Sequence, residues 1–154
     1  MSKNETGSVE STNKQLQVLQ FVTHGHLFCV DLFKVTQIID FVALQTVPGA
    51  PQYFKGLLDF HGQDIPVVDL GERLGIKCES KYTLETPIVI CKDGSKHIGL
   101  IIDEIVGVET IEDTDLQMQE LLQHGFATFL QGTLKTKKGD SLLLNLDKVC
   151  KFDF

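Results

Sequence analysis

Arginine is almost absent from this chain: Arg73 is the only one in 154 residues, and the net charge is −7. Nucleic-acid binding needs clustered arginine and lysine to neutralise phosphate, so no nucleic-acid partner is expected. An anionic membrane surface is disfavoured for the same reason. No apolar run approaches the length that spans a bilayer, and the polar N-terminus has no signal-peptide core. A cytoplasmic protein without direct membrane insertion is therefore expected. Cysteine pairs are missing as well. Cys29, Cys78, Cys91 and Cys150 are widely spaced, with no Cys-x-x-Cys. They read as reduced thiols, Cys29 and Cys91 packing as small hydrophobes inside apolar runs.

Catalytic signatures are lacking too. There is no Gly-x-Ser-x-Gly, no phosphate-cradling loop with Lys-Ser/Thr, no His-Glu-x-x-His and no dinucleotide fingerprint. What remains is an ordinary globular composition, 42% hydrophobic and 23% charged, in a length that suits one domain or two small lobes sharing a core.

The organising stretch is Phe54 to Leu74. Gly56–Phe60 is an apolar β run, His61-Gly62-Gln63-Asp64 supplies turn residues, and Ile65–Leu70 is a second run that Pro66 limits to an edge or strand start. The pattern returns at the C-terminus: Gly56–Leu70 and Gly132–Leu146 are equally long strand–turn–strand units, each leading into a helical stub. Upstream, His26-Leu27-Phe28-Cys29-Val30 followed by Val35 matches His97-Ile98-Gly99-Leu100-Ile101 followed by Val106. A programme repeated once per half predicts two similar β lobes packed together.

Residues 1–14 have almost nothing to bury and read as a disordered tail. Residues 15–152 then form a single domain of two lobes, with the polar stretch near 75–86 as connector. Leu16–Thr23 alternates as a strand, His24-Gly25-His26 turns it, and Leu27–Leu32 returns. Val35, Ile38 and Ile39 fall at helical spacing and predict a short helix. Ile88–Cys91, an Asp93-Gly94 turn and His97–Ile102 form the clearest hairpin. Val106–Ile111 is a further strand, and Thr114 or Asp115 is placed to cap a helix through Leu122. Many short strands with glycine turns and few helices predict small barrels.

Two clusters carry potential chemistry. His24, His26 and Cys29 offer metal ligands, but the histidines flank a turn glycine and Cys29 faces away from His26 in a regular strand, so no metal is assigned. Asp59, His61, Asp64 and Asp69 gather acid and base groups around one hairpin, where carboxylates usually do turn work. No catalytic residue is assigned. A small-ligand or metal-binding protein, or an enzyme, using the inter-lobe cleft near His61 and Asp64 is the alternative class. Docking of other proteins on barrel edges and grooves is the leading one.

Three segments, Phe-Cys-Val-Asp-Leu-x-x-Val-x-x-Ile-Ile, Val-Pro-x-Ala-Pro-x-Tyr-Phe-x-Gly-Leu-Leu and His-Gly-x-x-Ile-Pro-Val-Val-Asp-Leu, resemble the CheW-like adaptor family of bacterial chemotaxis. Gly99-Leu100-Ile101-Ile102-Asp103 with Val106 and Val108, and the closing Leu142–Val149 segment, continue the likeness, which covers Leu16 to about Lys151. The resemblance implies a mostly β fold of two five-stranded SH3-like barrel lobes with pseudo-two-fold similarity and a few short helices. It implies a non-enzymatic scaffold without cofactor, coupling the cytoplasmic tip of transmembrane chemoreceptors to the regulatory domain of a CheA-type histidine kinase at receptor arrays.

Two positions depart from the family pattern. Gln37 stands where a glutamate is usual and His61 where an arginine is usual, with Asp59 in place of the usual asparagine. The paired change implies a retuned partner, as in a divergent array such as a type IV pilus system. Carried over position by position, the partner-binding residues are Val35, Gln37, Ile38, His61, Thr86, Pro87 and Val108.

Overall fold

The computed structural model describes residues 15–76, 81–112, 116–117 and 125–152. The expected tail lies outside the described residues. So does most of the helix expected from Thr114 or Asp115; its Leu116–Gln117 segment is a short strand.

Among the described residues eleven strands run in chain order: β1 Gln15–Thr23, β2 His26–Asp31, β3 Val35–Asp40, β4 Phe54–Phe60, β5 Gln63–Asp69, β6 Pro87–Asp93, β7 Lys96–Ile101, β8 Glu104–Glu112, β9 Leu116–Gln117, β10 Leu130–Thr136 and β11 Gly139–Leu144. Two single-turn helices follow the hairpins of the repeat, α1 (Leu70–Arg73) after β5 and α2 (Leu146–Val149) after β11. One sheet has the order β3-β6-β7-β5-β4, the other β8-β1-β2-β11-β10-β9.

Both sheets curl and close in the same way. In the first, Gln45, just beyond β3, bridges back to Leu57 of β4, with backbone bonds of 2.9 and 2.8 Å. In the second, β9, just beyond β8, pairs with Thr133 and Leu134 of β10. Gly56 lies under the first crossing at φ 148°, where an added Cβ would come within 2.6 Å of the Gln45 carbonyl oxygen. Only glycine fits that approach.

The repeat is real in three dimensions, with one correction to its register. β4–β5 and β10–β11 match residue for residue, each with a bulge at the start, Phe54/Gly56 in one and Leu130/Gly132 in the other. Asp69 and Asn145 hold equivalent places, each accepting from the backbone N–H three residues on to cap α1 and α2. Upstream, however, Thr23↔His26 closes one hairpin and Asp93↔Lys96 the other. His26 therefore corresponds to Lys96, one residue from the His97 expected on sequence likeness. The turn of the second hairpin is accordingly Gly94-Ser95, with Gly94 at φ 64°, rather than Asp93-Gly94. Register follows from pairing and turn geometry, which a match between similar side chains does not see.

Neither lobe is built from one half of the chain, contrary to the expectation of one lobe per half. The hairpin β1–β2 sits in the second barrel, and the next strand, β3, crosses to pair with β6 in the first. Reciprocally, β6–β7 sits in the first barrel and β8 crosses to pair with β1. Parallel contacts of β2 with β11 and of β7 with β5 complete the exchange. The expected connector at 75–86 joins α1 to β6 within the first barrel; residues 77–80 of it lie outside the described residues. Pro66 is tolerated inside β5 because β7 joins that strand only from Val67 onward, past the missing N–H.

Val35–Asp40 is a strand and not a helix. Val35, Thr36, Ile38 and Ile39 are β-branched, and the ladder to β6 satisfies their backbone groups. The only helical turn nearby is the 3-10 turn Leu32–Lys34, capped by Asp31 through the Phe33 N–H.

Each sheet turns one face to its own barrel interior and the other to its partner sheet. The shared core carries Leu19, Phe21, Phe28 and Val30 from one sheet and Val68, Val89, Cys91, Ile98 and Leu100 from the other. Each such side chain, fully buried, contributes about 1.5–3 kcal/mol, so this interface is the main reason the barrels do not exist apart.

Candidate functional site

Among the described residues each barrel leaves one edge without a second strand partner. There β3 pairs only with β6 along Val35–Asp40, and β8 pairs only with β1. Both carry a bulge at the same place: Val35↔Cys91 steps to Gln37↔Ile90, and Ile105↔Phe21 steps to Gly107↔Gln20. A bulge twists an edge away from open-ended pairing and re-aims the next side chains. Just past it, Ile38 opposite Val89 and Val108 opposite Leu19 hold equivalent positions, 41% and 55% exposed. Gln37 is exposed beside Ile38.

The other expected partner residues are distributed as follows. Val35 is half-buried and packs against the shared core. Thr86 and Pro87 are half-buried next to the β3 edge, Pro87 pairing with Asp40 and the Thr86 carbonyl accepting from the Phe41 N–H at 2.8 Å. His61 is exposed on the β4–β5 turn at φ 54°, its ring edge-on to Phe60 at 4.3 Å. Gln37, Ile38, Thr86 and Pro87 thus belong to one ladder, His61 to a separate turn, and Val108 to the equivalent edge of the other barrel.

Three exposed apolar residues escaped the sequence reading: Phe33 at 83%, Leu84 at 82% and Val42 at 40%. Phe33 lies where the chain leaves one barrel for the other. Its exposure depends on the 3-10 turn, which has no periodicity to reveal it.

His61 and Asp64 do not line an inter-lobe cleft. Both are exposed, and Asp64 pairs with Asp59 beside the turn. A polar cleft of about 290 Å³ lies elsewhere, among His24, Asp69, Lys81, Tyr82, Thr86 and Asp103. Its two carboxylates are committed to structure. Asp69 caps α1 and accepts from the Tyr82 hydroxyl at 2.6 Å, while Asp103 accepts from the His24 N–H at 2.8 Å. His26 packs edge-on against Phe126 and Cys29 faces the second barrel's interior, so the three candidate metal ligands diverge. Among the described residues no group of three or more His, Cys, Asp or Glu is placed to hold a metal ion. Burial pushes the Cys29 and Cys91 thiols up to about 12 and Cys150 up to about 11, which leaves them protonated and unreactive at neutral pH. No helix among the described residues is long and apolar enough to cross a membrane.

Arg73 lies between the halves. Its guanidinium is 4.6 Å from the ring centre of Tyr53 and 4.7 Å from that of Phe129, and it donates to the carbonyls of Val149, Lys148 and Lys151 at the end of α2. This ties α1 to α2 and fixes how the two barrels sit together.

Comparison with known proteins agrees with this architecture. The chain is 28% identical over 139 residues to the chemotaxis protein CheW of Rhizobium meliloti, covering 90% of this chain and 89% of the relative. It is 24% identical over 136 residues to CheW of Thermotoga maritima, covering 88% of each. The crystal structure of the scaffolding protein TtCheW from Thermoanaerobacter tengcongensis superposes with a TM-score of 0.82 at 23% identity, over 91% of this chain and 95% of that one. The family model described as CheW-like domain matches residues 17–152. The chain belongs to the CheW-like domain family.

Proposed function

We propose that this protein is a non-enzymatic chemotaxis scaffold that couples the cytoplasmic tip of chemoreceptors to the regulatory domain of a CheA-type histidine kinase. It acts in the cytoplasm, recruited to membrane-associated receptor arrays, and it works by surface contact, with no bond made or broken. The observation that carries the reading is the pair of equivalent free edges presenting Ile38 and Val108 on a chain whose family match runs from 17 to 152. Exposed aliphatic side chains at two matched places suit two docking partners, one per barrel. The carried-over contact residues are Val35, Gln37, Ile38, His61, Thr86, Pro87 and Val108. Gln37 and His61 adjust partner choice, because they are exposed and uncharged or weakly basic where the family usually carries full charges.

Reconstitution with receptor fragments and kinase tests this. Wild-type protein is expected to restore receptor control of kinase activity. Ile38→Glu and Val108→Glu are each expected to weaken one association by about 1–3 kcal/mol, with circular dichroism and thermal unfolding unchanged. Unchanged coupling by both variants defeats the assignment of these edges. Failure of the wild-type protein to bind kinase or receptor at all defeats the function.

A further inference from the structure

We propose that the second barrel encloses an ordered water molecule bound between Gln20 and Ser141. Both residues face the barrel interior that Val18, Cys29, Leu134 and Leu143 line: Gln20 pairs with Cys29, and Ser141 pairs with Leu134. Gln20 is 2% exposed and Ser141 0%. The Gln20 amide nitrogen donates to a Glu109 carboxylate oxygen at 3.2 Å, which leaves the amide oxygen as the uncommitted end of the side chain. That Gln20 Oε1 has no hydrogen-bond partner among the described residues, and Ser141 Oγ has none beyond the Cys29 thiol beside it. Buried amide and hydroxyl oxygens are rarely left without a partner, and internal water is the usual one.

The first barrel shows why there is space. At the equivalent places it carries Ile90 for Gln20, Ile65 for Ser141 and Ile39 for Glu109, and the buried residues of its interior cluster are all aliphatic. Exchanging isoleucine for serine removes carbon atoms from a closed barrel and leaves a polar wall in their place. One water donates to Gln20 Oε1 and exchanges a hydrogen bond with the Ser141 hydroxyl. The Cys29 thiol, beside Ser141 and near Glu109, is a third polar neighbour. These two to three partners are what a single internal water requires.

The experiment is solution NMR on the full chain, with water–protein Overhauser spectra and water-oxygen relaxation dispersion. The expected result is long-lived water cross-peaks to the Gln20 side-chain amide and the Ser141 backbone amide, and none to the methyl groups of Ile65 or Ile90. Ser141→Val, and separately Gln20→Met, are expected to reduce the dispersion amplitude by one water's worth. Absence of those cross-peaks in the wild-type protein overturns the proposal, whether or not the variants fold. So does an unchanged amplitude in both folded variants.

Discussion

The two barrels have the same strands, bulges, closure and helical stub, and yet their interiors are of opposite character. The first is filled by Leu58, Ile65, Val67, Ile88, Ile90 and Ile101. In the second, Val18, Cys29, Ile111, Leu134 and Leu143 share the space with buried Gln20 and Ser141, and Glu109 leans in from the edge. One backbone thus tolerates an aliphatic core and a partly polar one. The reason is that neither interior holds the molecule together alone: the larger cluster between the sheets does. A barrel braced from outside can give up some apolar burial inside without losing its closure.

The difference can be broken by moving one barrel's chemistry into the other. Ile65→Ser puts a hydroxyl and a void into the first barrel and is expected to cost about 4 kcal/mol, a fall of roughly 10 °C in Tm by calorimetry. A fall as small as that of a surface substitution means the first barrel is not close-packed. Next in size is the asymmetry of the helical stubs, where Arg73 of α1 stands opposite Val149 of α2. Arg73→Met loses the carbonyl bonds and the ring contacts together and is expected to cost about 3 kcal/mol in denaturant unfolding. Arg73→Lys is expected to recover only part of this, because an ammonium cannot spread over three carbonyls and two rings.

A third contrast concerns Cys29, a thiol in the second barrel where the first has Gly99. Its pKa is raised from 9.0 to about 12 by burial, with Ser141 opposing, so the folded state holds the proton more tightly than the unfolded chain. That contribution to stability is complete below pH 9 and is lost as pH rises from about 9 toward 12. Cys29→Ala is expected to flatten the alkaline fall in Tm while leaving the neutral value near wild type; an unaltered alkaline slope refutes it. The smallest effect is expected for Gln20→Leu with Ser141→Val, which makes the second interior resemble the first. Removing both polar groups leaves neither oxygen stranded, so stability stays within about 1 kcal/mol of wild type by denaturant titration.

Much of the fold was legible. The alternating run Leu16–Thr23 and the apolar run Ile88–Cys91 became β1 and β6, the glycine turns became hairpins, and Gly56–Leu70 and Gly132–Leu146 proved equivalent. Val35–Asp40 was misread because three apolar residues at helical spacing also suit a half-exposed edge strand, and only its pairing with β6 separates the two. Of the candidate surface, Ile38 and Val108 are exposed at matched places, while Val35 leans into the core. Phe33 and Leu84 were missed because exposure of an apolar side chain leaves no mark in the sequence around it.

By itself the sequence determined the β character and the doubled programme, because these follow from apolar runs and turn residues that recur along the chain. Only the tertiary structure decided that β3 and β8 change places between barrels, and that the edges bearing Ile38 and Val108 are thereby left free. Strand partners are chosen between residues far apart in sequence, through shared burial of both sheets' outer faces, and no local pattern records that choice.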